Sequence, residues 1–137
     1  MNTGSARLRV LVVENEPSNA ELLLLQLQGN GWHVLGPVGT VRGAMALLAK
    51  ETPDAVVLDY RLDDQTAEPV ADLLEAHGIP YVLATGSIPA FLPERFANTP
   101  LLVKPYFYEA LAEALRGCLE LAPIAPTLPT GDEKSKR

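Results

Sequence analysis

The stretch Leu8-Arg-Val-Leu-Val-Val-Glu-Asn-Glu-Pro17 decides the fold, because a short apolar run ends abruptly in acidic residues and a proline follows them. An apolar run without polar alternation is typical of a strand that is buried on both faces, as in a parallel sheet. Pro17 suits the first turn of a helix, since its missing N–H would have no partner there. The stretch therefore predicts a β-strand followed by an α-helix.

Strand and helix patterns alternate along the rest of the chain. Four more apolar runs predict buried strands, at residues 32–38, 55–58, 81–84 and 101–103. Apolar residues recur at the helical spacing i, i+3, i+4, i+7 in four stretches, which begin at Ala20, Val41, Val70 and Leu111. This alternation favours an α/β fold, and we predict a doubly wound, five-stranded parallel sheet of the flavodoxin-like type with strand order 2-1-3-4-5.

Glycines, prolines and a threonine mark the ends of the predicted elements. Thr40 is suited to cap the second helix, and Gly29 and Gly78 are suited to end the first and third. Prolines interrupt the stretch between the fourth and fifth strands, which predicts one or two helical turns there instead of a full helix. We therefore expect a shortened or irregular fourth helix.

The composition excludes several classes of protein. The 137 residues carry a net charge of −6, which argues against a nucleic-acid partner because such proteins usually present a basic face. The single cysteine excludes an internal disulfide framework and a cysteine-based zinc site. The first residues resemble neither a signal peptide nor a membrane anchor, so we expect a cytoplasmic protein that does not contact membranes.

The chain length suits one domain, and the composition changes near its end. We predict an N-terminal extension over residues 1–6, a folded domain over 7–121 and a flexible tail over 122–137. The tail has a proline at every third position and then an almost wholly polar end. Such a segment can form a polyproline helix for a partner, although its composition favours disorder, and we expect no output domain after it.

The residues that carry chemistry follow the predicted strands. In a doubly wound sheet, ligands bind beyond the carboxyl ends of the strands where the strand order reverses, here between the first and third strands. The acidic stretch at residues 14–16 follows the first strand, and Asp59 follows the third. Thr85 and Lys104 follow the fourth and fifth. We expect these groups to lie in one crevice.

These groups suit the transfer of a phosphoryl group to a carboxylate. Acidic groups at one edge repel each other unless a cation joins them, and a few oxygen ligands suit Mg²⁺. A carboxylate can attack phosphorus to form an acyl phosphate, while Mg²⁺, a lysine and a hydroxyl contact the phosphoryl oxygens. A flavin or dinucleotide fits less well, because Glu14 and Glu16 would repel its phosphate and no glycine-rich loop is present.

Four stretches resemble the response-regulator receiver domain of bacterial two-component signalling. They are Val10-Leu-Val-Val-Glu-Asn-Glu-Pro17, Ala55-Val-Val-Leu-Asp-Tyr-Arg-Leu62, Ala84-Thr-Gly86 and Leu102-Val-Lys-Pro105. The resemblance covers nearly the whole predicted domain and implies that Asp59 is the phosphoacceptor, assisted by Thr85 and Lys104. It implies a Mg²⁺ site formed by Glu14, Asn15, Asp59 and the backbone carbonyl of Arg61. It also implies a cis peptide between Lys104 and Pro105.

Two residues depart from the receiver pattern. Asn15 stands in place of the second acid, so its amide oxygen can ligate only without a charge and Mg²⁺ affinity should fall. Slow phosphorylation and simple tolerance of weaker binding are both open outcomes. Leu101 stands where many receivers place an aromatic ring that swings inward on activation. Either the conformational switch is a different one, or Leu101 is only a strand residue.

A narrower resemblance concerns Pro80-Tyr-Val-Leu-Ala-Thr-Gly-Ser87, which is similar to the signature of the FAT GUY receivers, although Leu83 and Ser87 replace its usual aromatics. Members of that subgroup are often stand-alone domains. We therefore expect a single-domain response regulator, not an enzyme in the usual sense. It would accept a phosphoryl group from a sensor histidine kinase or phosphotransfer protein and signal to an unknown protein by contact. The alternative is a degenerate receiver that binds partners without phosphorylation.

Other noticeable side chains have simpler interpretations. Asp63 and Asp64 follow the phosphoacceptor strand and are expected to be a solvated pair in a loop. Cys118 lies on the apolar stripe of the last helix and should be a small buried hydrophobe. His33 and His77 lack partners at metal-ligand spacing and are expected at the surface or at a helix end.

Overall fold

The computed structural model describes residues 7–86 and 91–121, in which five parallel strands form one sheet. The strands are β1 (Arg9–Val13), β2 (His33–Val38), β3 (Ala55–Asp59), β4 (Tyr81–Thr85) and β5 (Leu101–Val103). The α-helices are α1 (Pro17–Gly29), α2 (Val41–Leu48), α3 (Glu68–Ala76) and α4 (Tyr108–Leu121). The strand order is β2-β1-β3-β4-β5, so the predicted doubly wound topology is confirmed.

Two of the predicted segments lie outside the described residues, namely the N-terminal extension at 1–6 and the tail at 122–137. The same holds for residues 87–90, which include the last position of the FAT GUY-like stretch. Within the described ranges, no helix is both long and apolar enough to cross a membrane.

The sheet separates two apolar cores. Along β1, Leu11 and Val13 belong to one core, whereas Val10 and Val12 belong to the other, as the alternation of side chains along a strand requires. Helices α2 and α3 complete the first core, and α1 and α4 complete the second. Because helices cover both faces, β1, β3 and β4 are buried over nearly their whole length, which explains why their sequences lack polar alternation.

The helix boundaries agree with the capping residues predicted from the sequence. Pro17 is the first residue of α1, and Gly29 is its last. The Thr40 hydroxyl accepts a hydrogen bond of 2.8 Å from the Gly43 N–H and so caps α2. Gly78 follows α3 with a φ of +69°, a left-handed conformation that glycine adopts without a steric penalty.

Between β4 and β5, the described residues include the 3-10 turn Glu94–Phe96 and no α-helix. Phe96 holds this turn against the first core, where its ring meets that of Tyr60 edge-on at a centroid distance of 5.8 Å. Arg95 forms a salt bridge of 2.7 Å with Asp72 of α3. The prediction that the helix between the fourth and fifth strands is shortened or irregular is confirmed.

Several side chains to which the sequence assigned no role in the chemistry have structural roles. Leu101 is half-buried against the first core, which is the environment of an ordinary strand residue. Cys118 is buried in the second core, as predicted. Trp32 is buried just before β2, and its Nε1–H donates to the Tyr108 hydroxyl at 3.1 Å. His77 is exposed and is the C-cap residue that follows α3, as expected of a helix end.

Gly36 in β2 is the glycine whose replacement the fold should tolerate least. It has a φ of +81°, and a Cβ atom there would lie 3.0 Å from the Val12 carbonyl oxygen and 3.0 Å from the Val38 nitrogen. We expect Gly36→Ala to lower the free energy of unfolding by about 3 kcal/mol, because backbone strain adds to these close contacts. Urea denaturation followed by circular dichroism measures the change.

Gly31→Ala is the matched control for this prediction. Gly31 also has a left-handed φ, of +92°, but a Cβ atom there would meet nothing within 4 Å. Its replacement should lower the free energy of unfolding by about 1 kcal/mol, from backbone strain alone. Equal losses at the two positions would contradict the role assigned to the close contacts at Gly36.

Candidate functional site

Two buried carboxylates lie where the strand order reverses. Val13 of β1 pairs with Leu58 of β3, so Glu14 and Asp59 each come one residue later, at the carboxyl end of the sheet. Both residues are only 4% exposed. Like charges that are shielded from water repel one another and lose hydration, so their burial requires a cation nearby.

Lys104 supplies this cation. Its Nζ atom lies 2.8 Å from Oε1 of Glu14 and 3.0 Å from Oδ2 of Asp59. The register explains its position, because Thr85 pairs with Val103 and Lys104 follows directly. We call Glu14, Asp59 and Lys104 together the acid–lysine cluster. The structure thus brings together three of the residues that the sequence predicted for the site.

The acid–lysine cluster shifts the pKa values of Asp59 and Lys104. Burial has the largest effect on the carboxyl group of Asp59 and raises its pKa to about 6. The hydrogen bond from Lys104 opposes this rise in the pKa, and the charge of Glu14 adds to it. Burial by itself would lower the pKa of Lys104, but the hydrogen bonds and charges of the two carboxylates outweigh it and raise that pKa. Near neutral pH, an ionised Asp59 therefore lies beside a charged ammonium.

Thr85 and Arg61 flank the acid–lysine cluster. Thr85 is buried at the end of β4, and its carbonyl accepts a hydrogen bond of 2.8 Å from the Lys104 N–H. The peptide between Lys104 and Pro105 is cis, as the resemblance implied. Arg61 lies in the loop after β3, with an exposed side chain and a backbone bridge to Thr66.

The residues after Glu14 point to different partners. Asn15 is half-buried, and its Nδ2–H donates to Oδ1 of Asp63 at 3.2 Å. Glu16 is exposed, and its carboxylate accepts a hydrogen bond from the Ser18 hydroxyl at 3.2 Å. Glu16 therefore does not take the place of the second acid that Asn15 replaces.

The candidate metal ligands are all oxygen donors. They are the carboxylates of Glu14 and Asp59, the amide oxygen of Asn15 and the backbone carbonyl of Arg61. Among the residues that the structure describes, no three His, Cys, Asp or Glu side chains are grouped so as to hold a metal. Two carboxylates with two neutral oxygens still suit Mg²⁺, which prefers hard oxygen ligands and keeps several waters.

Sequence reasoning missed Tyr106, which lies in the loop after β5. Burial raises the pKa of Tyr106 to about 12, and the charges of Glu14 and Asp59 contribute to the rise, so the phenol stays protonated. Together with Glu14 and Lys104 it lines a cavity of about 160 Å³ towards α1. The signal in the sequence was its position two residues after Lys104, which the sequence already placed at the site.

Asp63 and Asp64 are exposed, as expected of a loop pair, but each has a specific partner. Asp63 accepts the hydrogen bond from Asn15, whereas Asp64 accepts from the N–H groups of Val41 at 2.8 Å and Arg42 at 3.2 Å. These N–H groups begin α2, where a carboxylate is stabilised. The Val41 bond is the main reason why the pKa of Asp64 is lowered.

Comparison with curated proteins finds relatives that are longer than this chain. It is similar to the probable transcriptional regulatory protein TcrX of Mycobacterium tuberculosis, with 31% identity over 117 residues that cover 80% of this chain and 49% of TcrX. The DNA-binding response regulator MtrA of Mycolicibacterium smegmatis is 35% identical over 80 residues, which cover 58% of this chain and 35% of MtrA. The chain thus spans half or less of the length of these relatives. No family model matches it.

Two solved structures match over nearly their whole length. SdrG from Sphingomonas melonis Fr1 is 36% identical with a TM-score of 0.73, and the match covers 82% of this chain and 97% of the SdrG chain. The receiver domain of the sensor histidine kinase PA1611 from Pseudomonas aeruginosa PAO1 has a magnesium ion coordinated in its active-site cleft. It is 21% identical with a TM-score of 0.71, and the match covers 84% of this chain and 99% of the PA1611 domain. At this identity the likeness shows the fold alone.

The raised pKa of Asp59 has a consequence for stability. The pKa of an aspartate in the unfolded chain is about 4. Between about pH 4 and pH 6, Asp59 therefore binds a proton more readily in the folded state than in the unfolded state, and the free energy of unfolding falls as pH rises. We expect Asp59→Asn to raise the free energy of unfolding by about 1 kcal/mol at pH 7 in EDTA, and to change it little near pH 4. Urea denaturation at both pH values measures this difference.

Glu113→Gln on α4 is the control for this prediction, since Glu113 is exposed and its replacement removes the same charge. It should change the free energy of unfolding by less than about 0.5 kcal/mol at either pH. If Asp59→Asn stabilises the protein equally at pH 4 and pH 7, ionisation of the buried acid is not the cause.

Proposed function

The chain belongs to the receiver-domain family of two-component response regulators, and we propose that it accepts a phosphoryl group on Asp59. The observation that carries the proposal is the acid–lysine cluster, in which a buried carboxylate lies 3.0 Å from a fixed ammonium where the strand order reverses. Transfer of a phosphoryl group depends mainly on positioning and on neutralising charge, and this arrangement supplies both.

In the proposed reaction, an Oδ atom of the ionised Asp59 attacks phosphorus. The new O–P bond forms as the bond between phosphorus and the donor's nitrogen or oxygen breaks, and the leaving group keeps the electron pair. The Lys104 ammonium stabilises negative charge on the phosphoryl oxygens, and the Thr85 hydroxyl is proposed to donate to one of them. A pKa of about 6 keeps Asp59 mostly ionised at neutral pH, as a nucleophile requires.

We propose that Glu14, Asn15, Asp59 and the Arg61 carbonyl hold Mg²⁺. When bound, the ion supplies positive charge that offsets the charge of the carboxylates and the phosphoryl oxygens. The magnesium ion in the cleft of the PA1611 receiver domain supports this proposal, as does the all-oxygen set of ligands. Because Asn15 is neutral, we expect weaker binding than a second carboxylate would give.

The proposed phosphodonor is a sensor histidine kinase or a phosphotransfer protein, and the proposed output is contact with a downstream protein. Exposed aromatic side chains in the segments that follow β4 and β5 suit such contact: Phe107 is 82% exposed in the loop after β5, and Phe91 is 76% exposed before the 3-10 turn. The single-domain role, the FAT GUY subgroup, the expectation that the protein is not an enzyme in the usual sense and the cytoplasmic location stay predictions. So does the absence of a nucleic-acid partner, since MtrA is a DNA-binding regulator.

Partner binding without phosphorylation is the second candidate function. It is favoured by Asn15, which is neutral at the second-acid position. Leu101 favours it too, because an aliphatic side chain cannot perform the ring movement of an aromatic switch. This function predicts that cells in which Asp59→Asn replaces the wild type signal normally.

Intact-mass spectrometry after incubation with acetyl phosphate and Mg²⁺ tests the main proposal. We expect one phosphoryl adduct on the wild type and none on Asp59→Asn, which lacks the nucleophile. Asn15→Asp should form the adduct at about tenfold lower Mg²⁺ concentration, because it restores a charged ligand.

Glu16→Gln is the control in the same acidic stretch, since Glu16 is exposed, and it should behave as the wild type does. An adduct that persists on Asp59→Asn would show that another residue accepts the phosphoryl group. An adduct on Asn15→Asp but not on the wild type would favour the second candidate function.

A further inference from the structure

We propose that Asp63 is a positioning residue for Mg²⁺, because it holds the Asn15 amide in the orientation that presents its oxygen to the ion. The inference rests on the proposed function, since it concerns how the same site binds its metal. Asp63 is not proposed as a ligand itself. It acts through Asn15, the one predicted side-chain ligand that carries no charge.

The hydrogen bond between Asn15 and Asp63 has only one possible direction. A carboxylate can only accept, so Asn15 must donate through Nδ2, and this atom lies 3.2 Å from Oδ1 of Asp63. The asparagine amide has donors at one end and an acceptor at the other. A bond through Nδ2 therefore leaves Oδ1 as the end that is available to a cation. Without this bond, a half-turn of the amide would exchange the ligand atom for N–H donors, which cannot bind a metal.

The backbone that carries Asp63 is itself held in place. The Asp63 N–H donates to the Gly39 carbonyl at 3.1 Å, and the adjacent Asp64 bonds the first N–H groups of α2. Gly39 lies close to both partners, since a Cβ atom there would be 3.5 Å from Oδ2 of Asp63 and 3.3 Å from Cα of Asn15. Asp63 thus holds the amide from a backbone that is fixed on two sides.

Orientation explains the role of Asp63 better than charge does. Asp63 is exposed, so water and salt screen its electrostatic attraction for an ion that it does not touch. A hydrogen bond that orients a metal ligand acts at short range, and loss of such a partner commonly weakens metal binding by about tenfold or more. The two effects predict different results for an uncharged residue at position 63.

Isothermal titration of the metal-free full chain with MgCl₂ separates these effects. We expect Asp63→Ala to raise the Kd for Mg²⁺ about tenfold. Asp63→Asn should stay within about twofold of the wild type, because its amide oxygen still accepts the Asn15 N–H. Glu16→Gln is the matched control, since Glu16 is exposed and its replacement removes the same charge next to Asn15 without touching the Asn15 amide. Equal losses in Asp63→Asn, Glu16→Gln and Asp63→Ala would overturn the proposal and assign the effect to charge.

The Asn15→Asp background provides a second test. A carboxylate at position 15 has no N–H to donate, and it repels the carboxylate of Asp63. In this background Asp63→Ala should leave the Kd for Mg²⁺ unchanged or lower it, the opposite of its effect on the wild type. A tenfold loss of affinity in both backgrounds would show that Asp63 acts independently of Asn15, and the proposal would be wrong.

The Asn15 amide can also be observed directly by ¹⁵N NMR. Its side-chain NH₂ resonances, identified by their loss in Asn15→Asp, should move in Asp63→Ala before any metal is added. If the wild type binds Mg²⁺ and accepts a phosphoryl group while Asp63→Ala binds Mg²⁺ equally well, the inference fails and the proposed function stands. If the wild type takes up neither Mg²⁺ nor a phosphoryl group, both fail.

Discussion

One ammonium group, that of Lys104, makes the carboxyl end of the sheet possible. Glu14 and Asp59 follow adjacent strands and are withdrawn from water, an arrangement that would be strongly unfavourable without a cation between them. Lys104 contacts both carboxylates. It can do so because it directly follows β5, whose last residue, Val103, pairs with Thr85 at the end of β4. A buried ion pair adds little net stability, but loss of the Lys104 ammonium would leave two buried carboxylates without a cation, which is strongly destabilising. The interaction therefore constrains the fold and prepares a reactive carboxylate at the same time.

The fold and the main site residues could be predicted because their signals are local in the sequence. Uninterrupted apolar runs mark strands that are covered on both sides, and the observed cores on the two faces of the sheet show why polar alternation is absent. Pro93 and Pro100 break the helical pattern where the described residues include a 3-10 turn and no α-helix. Parallel strands end at one edge, so Asp59 and Lys104 were expected to meet before any contact was known.

Contacts between loops could not be predicted, because they follow no periodicity. Asn15 and Asp63 are separated by 48 positions, and Asp64 caps a helix that begins 23 positions earlier. The sequence indicates that these aspartates are exposed, which is correct, but exposure does not reveal a partner. Tyr106 was missed for a related reason, since its protonation depends on burial and on neighbouring charges and not on its own type.

The division of the interior into two cores also bears on how such a chain can change over generations. Val10 and Val12 pack on one face of β1, and Leu11 and Val13 pack on the other, so the two sets belong to different apolar clusters. Energetic effects of substitutions that share no partner are nearly additive. A substitution beneath α1 and α4 therefore needs no matching change in the packing beneath α2 and α3, although both changes add to the same total stability. The surface of one helical layer can vary without repacking of the other, while both keep the same strand ends in register.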